Sequence, residues 1–252
     1  MIYSEIIAKK QQGKKQFAVL IDPDKQSISG LSSFIEEALI AQVDYFFVGG
    51  SLLVSDKLDS CIRSIKEICN VPVIIFPGSP LQVSRFADAI LFISLISGRN
   101  AEALIGQHVV AAPYIKRANL ETLPTGYILV DAGKPTTVSY MSNSLPIPND
   151  KPEIAVCTAM AGEMLGLKLI YLDAGSGAEN PVPIEMLTEV SKNIRVPLIA
   201  GGGIRSGKSA YESFKAGADL LVIGNAIEKN AALIREISDA SKSASHTLKE
   251  VE

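Results

Sequence analysis

Residues 198–206 read Leu198-Ile199-Ala200-Gly201-Gly202-Gly203-Ile204-Arg205-Ser206. A short apolar run gives way to three glycines. Ser206 follows, a residue type that caps helix N-termini through its side-chain oxygen. The pattern recurs about twenty residues on, where Leu221-Val222-Ile223 leads into Gly224-Asn225-Ala226. In barrels of eight parallel strands, the loops after the seventh and eighth strands often hold a phosphate on bare backbone amides. Glycine suits that task because it lets the backbone approach an anion closely and adopt positive φ. Glycines that only make tight barrel turns are the plain alternative.

Outward from this stretch, short apolar runs alternate with helical patterns along the chain. Strands are predicted at 17–21, 45–48, 73–76, 89–93, 127–130, 169–172, 197–200 and 220–223. Most are continuously apolar rather than alternating, as strands covered on both faces are. Between them, Leu31, Phe34, Ile35, Ala38 and Leu39 recur at helical spacing, as do Ile184, Leu187, Val190 and Ile194, then Ile227, Ala231 and Ile234. A doubly wound open sheet shares this alternation. Two features favour a single-domain α/β (β/α)8 TIM barrel over residues 1–252: eight strands, and functional motifs after many different strands. Residues 1–12 are expected to form a short helix at the barrel floor, and the polar stretch 241–252 to fray. The proline-rich connection 132–153 is long for a loop without secondary structure, which points to function. On a barrel it lies on the catalytic rim.

Composition narrows the classes. Apolar residues make up 47% and charged residues 20% of the 252, enough for a large core. With 24 basic and 27 acidic side chains there is no positive surplus to hold nucleic acid. Cys61, Cys69 and Cys157 are odd in number and lack metal-site spacing, against a disulfide framework or structural zinc. No signal-peptide segment opens the chain, and no run nears the roughly 18 apolar residues of a membrane span. No basic amphipathic anchor is evident. The expectation is a cytoplasmic protein without stable membrane insertion.

Three further motifs close strands with chemistry-bearing residues. Asp22-Pro23-Asp24-Lys25 follows the first strand. A carboxylate there, with phosphate oxygens from a substrate, suits Mg2+, which keeps several waters and needs few protein ligands; a solvated turn is the alternative. Gly49-Gly50-Ser51 ends the second strand, with a hydroxyl near those acids. Tyr171-Leu172-Asp173-Ala174-Gly175-Ser176-Gly177 ends the sixth. Asp173 there can act as general base on a substrate hydroxyl or simply cap the next helix. Asn100, in the Ser97–Asn100 turn, can equally cap a helix or touch a ligand. His108 and His246 have no metal-ligand spacing and read as ordinary surface residues. No GxSxG or Cys–His arrangement points to acyl transfer.

Taken together, LIDPDK (20–25), FVGGSL (47–52), IFPGSP (75–80), YLDAGSGA (171–178), AGGGIRS (200–206) and VIGNAIEKN (222–230) resemble the geranylgeranylglyceryl phosphate synthase family, with its heptaprenylglyceryl phosphate synthase relatives. The stretches at 113–131 and 134–148 are similar to its larger, second subgroup. The resemblance runs in order along almost the whole chain. It implies a Mg2+-dependent prenyltransferase that joins sn-glycerol 1-phosphate to a long-chain prenyl diphosphate, geranylgeranyl diphosphate by default, through an ether bond, releasing diphosphate. By the family pattern, Asp22 and Ser51 hold Mg2+. Tyr171, Leu172, Asp173, Ala174, Gly175, Ser176 and Gly177, with Gly202, Gly203, Gly224 and Asn225, bind glycerol 1-phosphate. Asp173 is the catalytic base, where many members carry glutamate. The family also implies a homo-oligomer, dimer or hexamer. Phe76, Pro77 and Leu81 are candidates to line the prenyl groove. Another phosphate-binding barrel enzyme, such as a sugar-phosphate isomerase or aldolase, would share the late glycine loops but leave the first two motifs unexplained. A non-catalytic sensor of a phosphorylated metabolite would leave the rim acids unexplained.

Overall fold

The computed structural model describes residues 1–25, 28–230 and 232–247. Eight strands, β1 (Gln16–Ile21), β2 (Tyr45–Gly50), β3 (Val73–Pro77), β4 (Ala89–Leu95), β5 (Glu121–Leu129), β6 (Leu169–Asp173), β7 (Leu198–Gly201) and β8 (Leu220–Ile223), pair in chain order into a closed barrel. All pairings are parallel, and β8 closes on β1 from Gln16↔Leu220 to Val19↔Ile223. The continuous apolar runs follow from two buried faces. Ala18, Phe47, Leu91, Tyr171 and Val222 point into the barrel. Their neighbours Val19, Val48, Ile90, Leu172 and Ile223 point out against the helices. Each such aliphatic side chain contributes about 1.5–3 kcal/mol by leaving water.

The floor is sealed by α1 (Ile2–Gln11), whose Ile2 and Tyr3 N–H groups donate to Glu121 at 2.6 and 2.9 Å. Three acids one residue before a strand accept N–H groups at the start of a neighbouring strand: Asp44 from Phe17, Asp88 from Val73 and Asp219 from Leu198. Lys9, Lys66 and Lys10 respectively neutralise them. The bottom of the barrel is thus committed to stability, and the C-terminal ends of the strands are left for chemistry.

The outer layer comprises α2 (Ile28–Ile40), α3 (Leu58–Ile68), a π-helical turn (Glu102–Gly106) leading into α4 (Gln107–Ala118), α5 (Thr137–Met141), α6 (Pro152–Met164), α7 (Ile184–Asn193), α8 (Gly207–Lys215), α9 (Asn225–Lys229) and α10 (Leu233–Thr247). One connection departs from the repeat. Residues 78–88, between β3 and β4, contain turns and bends but no helix. The outward face of β4 is therefore covered by α4 on one flank only.

Several details differ from the expectation. Ser241 is buried within α10, so the tail is helical through Thr247; residues 248–252 lie outside the described residues. The stripe 227–234 is split at Asn230, whose extended backbone ends α9 and whose side chain accepts the Ala232 N–H. Ala231 lies outside the described residues. In α7 the buried face is Met186, Leu187 and Val190, while Ile184 is exposed. Strand β5 begins at Glu121, six residues early, because Pro124 and Gly126 are accommodated inside it. A Cβ on Gly126 would meet Ile96 at 2.8 Å and Ile170 at 2.9 Å, so glycine is what lets the outer layer approach. Among the described residues, no helix is long and apolar enough to cross a membrane.

Candidate active site

A cavity of about 1050 Å3 opens at the C-terminal ends of the strands. Asp22, Ser51, Tyr171, Asp173, Gly175, Ser176, Gly177, Gly202, Gly203, Gly224 and Asn225 all line it, so motifs from both ends of the chain share one mouth. Leu172 and Ala174 do not. Strand parity turns Leu172 outward, and Ala174 packs in the same outer cluster. Any part they take in ligand binding is through the backbone.

Tight turns build the mouth. Gly202 and Gly203 have φ of +80° and +71°, and Gly175 has +88°, conformations that L side chains rarely adopt. A Cβ on Gly202 would lie 2.7 Å from the Gly175 nitrogen, so the β6 and β7 loops touch backbone to backbone. Asn225 ties the rim together: its amide donates to Ser176 Oγ at 2.7 Å, and its Oδ1 accepts from Lys25 Nζ at 2.9 Å. The connection 132–153 does lie on this rim. It carries α5, opened by a capping box of Thr136 and Ser139. Thr136 packs over Gly175, while Val138 and Met141 line the cavity.

The acids at the mouth have different duties. Asp22 faces the cavity; its Oδ1 accepts the Asp24 N–H at 3.0 Å and its Oδ2 lies 3.2 Å from Lys25 Nζ. Asp24 is turned away, tied to the Val54 N–H and the Ser55 hydroxyl. Asp173 is buried at 7% exposure. Its Oδ1 accepts the Gly175 N–H at 2.8 Å and its Oδ2 accepts the Tyr127 hydroxyl. Burial pushes its carboxyl above the usual carboxylate range, and the two hydrogen bonds offset part of that rise. Burial likewise keeps the phenols of Tyr127 and Tyr171 protonated, well above the ordinary tyrosine value.

The donor set around Asp22 fits a magnesium ion. It offers one carboxylate whose oxygens have lone pairs to spare, and Ser51 on the next strand end. Gly50 lies against Asp22, where a Cβ would come to 3.9 Å from Oδ2, an ordinary contact distance. No cluster of three or more His, Cys, Asp or Glu side chains suited to a metal exists among the described residues. A cation here would therefore draw its remaining ligands from water and phosphate, which is magnesium's habit.

From this mouth the cavity runs toward β4 and the helix-free connection. There it is walled by Phe76, Ile90, Phe92, His108, Ala111 and Ile115. Pro77 lines it too, but Leu81 is exposed and lies outside it. His108 is not a surface residue: it is 7% exposed, edge-on to Phe92, with Nε2 3.2 Å from Ser94 Oγ. The side chain of His246 lies outside what is described. Asn100 accepts the Glu102 N–H and lines the cavity. Sequence reasoning passed over Tyr127, His108 and Arg205, which lines the mouth and donates to the Ala178 carbonyl at 2.6 Å.

A closed parallel barrel with glycine loops and two carboxylates at one mouth defines the (β/α)8 class, whose open strand ends carry the chemistry. The comparisons sharpen that class. Residues 9–241 match the model of the PcrB family. The chain belongs to this family. It is 53% identical over 248 residues to the geranylgeranylglyceryl phosphate synthase of Chitinophaga pinensis, covering 98% of each chain. To the enzyme of that name from Thermococcus gammatolerans it is 43% identical, over 90% of each. The crystal structure of (S)-3-O-geranylgeranylglyceryl phosphate synthase from Thermoplasma acidophilum, in complex with its substrate sn-glycerol-1-phosphate, superposes with a TM-score of 0.91. It is 32% identical, covering 96% of this chain and 99% of that one. The 3-hexulose-6-phosphate synthase of Salmonella typhimurium, at 14% identity and a TM-score of 0.62, shares the fold alone.

Proposed function

We propose that the chain is a prenyltransferase of the geranylgeranylglyceryl phosphate synthase type. It joins a long-chain prenyl diphosphate to sn-glycerol 1-phosphate through an ether bond and releases diphosphate. The observation that carries this reading is one cavity with two ends. A polar end of glycine loops and Asp173 suits a polyol phosphate, and an apolar end suits a hydrocarbon chain. Its volume is at the top of the roughly 300–1,000 Å3 range of single-ligand pockets, in keeping with two occupants.

The acceptor phosphate sits on the backbone at Gly202, Gly203 and Gly224, with Ser176 and Asn225 at its edge. That anchoring presents the glycerol hydroxyls to Tyr171 and Asp173. Fixing the acceptor against the donor replaces a bimolecular encounter by a local one. Asp173 accepts the proton of the attacking hydroxyl as its oxygen bonds the allylic carbon. A carboxylate in an apolar wall is a stronger base than one in water, which suits a weak alcohol nucleophile. Asp22 and Ser51 are the residues to hold Mg2+, and Lys25 adds positive charge beside them. When bound, the ion neutralises charge gathering on the departing diphosphate. The prenyl chain lies in the arm beside β4, where the absent helix leaves an apolar wall of Ile90, Phe92, Ala111 and Ile115. The exposed Val109, Val110 and Tyr114 of α4 support self-association, as a dimer or hexamer.

The test is product identification with labelled sn-glycerol 1-phosphate and prenyl diphosphates of graded length. Lipid-extractable label that is lost with EDTA and restored by Mg2+ is the expected result. Absence of extractable label with every diphosphate would refute the reading and favour another phosphate-binding barrel activity.

A further inference from the structure

Asp173 ends β6, opposite Leu129 in the register, while Tyr127 is the partner of Tyr171, two residues lower. Two residues along a strand are about 6–7 Å, the span a tyrosine side chain bridges. The phenol of Tyr127 thus rises one layer inside the barrel and donates to Asp173 Oδ2. Its ring is held by two others, with centroids 5.2 Å from Tyr171 and 6.1 Å from Phe76. Tyr127 is 3% exposed yet lines the cavity. A buried hydroxyl fixed by packing and aimed at one oxygen of the reacting carboxylate is more than the barrel core requires, since phenylalanine would fill the same volume.

We infer that Tyr127 is a positioning residue for the transfer step. Its hydroxyl grips Oδ2 of Asp173 and, with the Gly175 N–H on Oδ1, fixes the rotamer from which the carboxylate meets the glycerol hydroxyl. The inference rests on the prenyl-transfer reading above. In the step, the glycerol O–H bond breaks and its proton goes to Asp173. The glycerol oxygen bonds the allylic carbon, and the bond from that carbon to the diphosphate oxygen breaks with the electron pair leaving on diphosphate. The proton of Tyr127 stays on its own oxygen throughout.

The surroundings make this bond matter. Tyr127 comes from β5, Tyr171 from β6 itself and Phe76 from β3, while β7 sets Ile199 and Gly201 beside Tyr171. The charged groups of the same cavity are Asp22, Lys25, Lys134 and Arg205. Among the described residues, the Asp173 carboxylate takes its hydrogen bonds from the Tyr127 hydroxyl and the Gly175 N–H. Burial favours the protonated acid, and the Tyr127 hydroxyl is the larger of the two influences that oppose it. Because its own phenol stays protonated, the donor is present at every working pH.

The test compares the wild type with Tyr127→Phe, which conserves volume. Protein labelled with 13C at aspartate carboxyls is titrated by NMR, the Asp173 signal being assigned by its loss in Asp173→Asn. Loss of a hydrogen bond to a charged group is expected to raise the Asp173 midpoint by about one to two pH units. The acid limb of kcat is expected to rise by the same interval, so that kcat measured on that limb falls about tenfold to a hundredfold and recovers as pH rises above it. KM for sn-glycerol 1-phosphate is expected to change less than about threefold, because the phosphate anchors are untouched. An unmoved midpoint overturns the inference. So does an acid limb of kcat that stays at its wild-type position, which would mean that the bond does not act on the reacting carboxylate. A midpoint that shifts in Tyr127→Phe while the wild type forms no prenylated product leaves Tyr127 as the holder of Asp173 and removes the prenyl-transfer reading instead.

Discussion

Gly202→Ala probes the contact on which the acceptor end is built. Two costs can be worked out. Gly202 has φ of +80°, and a non-glycine residue in that left-handed region costs about 1–2 kcal/mol. The new Cβ would also lie 2.7 Å from Gly175 N, 2.8 Å from Gly175 O and 2.9 Å from the Ala174 Cβ. Ordinary contact begins at 3.4 Å, so the two loops must part by about 0.7 Å. Forcing such a shift in a packed region costs about 1–3 kcal/mol more. The nitrogen that must move carries the N–H on Asp173 Oδ1, now 2.8 Å long. Stretched by that distance it ceases to be a good hydrogen bond. Gly166→Ala is the control, with φ of +87° and nothing within 4 Å of its Cβ. Both variants share the φ strain and the gain from a stiffer unfolded chain. Their difference in denaturant unfolding free energy is then the clash alone, about 1–3 kcal/mol. In steady-state kinetics, Gly202→Ala is expected to lose about tenfold to a hundredfold in kcat/KM for sn-glycerol 1-phosphate, and Gly166→Ala to keep wild-type activity. Equal stability of the two variants, with wild-type kinetics for Gly202→Ala, would refute the reasoning.

Asp173→Asn is expected to lower kcat about 10²–10⁴-fold while the protein stays folded by circular dichroism. The Asp173 carboxyl has a raised native pKa, so its ionisation weakens the fold. That penalty is absent below the ordinary carboxylate value and is incurred as pH rises through the raised one. The variant should therefore unfold at a higher temperature than wild type at neutral pH, with the gap closing in acid. The kcat of the wild type should fall as pH drops through the raised value. Asp22→Asn is expected to raise the Mg2+ concentration for half-maximal activity, with KM for sn-glycerol 1-phosphate nearly unchanged; an unaltered Mg2+ dependence would remove Asp22 from the metal site. His108 is held below its ordinary value by burial. Stability is thus lost as pH falls from about 6.5 through its native value, and His108→Gln should flatten that loss in pH-dependent thermal melts.

The barrel was legible because its strands obey simple physics. A run such as Tyr45–Val48 with no polar alternation has two buried faces, and eight such runs fill the length of a closed sheet. The residues that line the mouth were legible where chemistry and turn geometry coincide, as at Asp22, Asp173, Gly202 and Gly203. What escaped depends on parity and packing. Leu172 and Asp173 are adjacent, yet one faces the helices and the other the cavity. Nothing local distinguishes Tyr127, a barrel tyrosine whose hydroxyl bonds Asp173, from Tyr45, whose hydroxyl bonds Gln16 at the floor. Residues 78–88 look like any polar connection, and only the assembled barrel shows that a covering helix is absent there. His108 reads as a surface histidine because its burial is due to a neighbour remote in sequence, Phe92 on β4. In β5, Pro124 and Gly126 outweigh the local signal until the close approach of Ile96 and Ile170 explains the glycine.

The central claim is that donor and acceptor meet across one barrel mouth. A crystal structure of the protein with Mg2+, sn-glycerol 1-phosphate and a non-reactive geranylgeranyl thiodiphosphate tests it most directly. The expected structure has the single phosphate on the amides of Gly202, Gly203 and Gly224, the metal-bound diphosphate at Asp22 and Ser51, the hydrocarbon beside Ile90 and Ala111, and a glycerol hydroxyl against Asp173. A polyol phosphate bound away from those glycines, or a hydrocarbon chain outside the β4 arm, would contradict it.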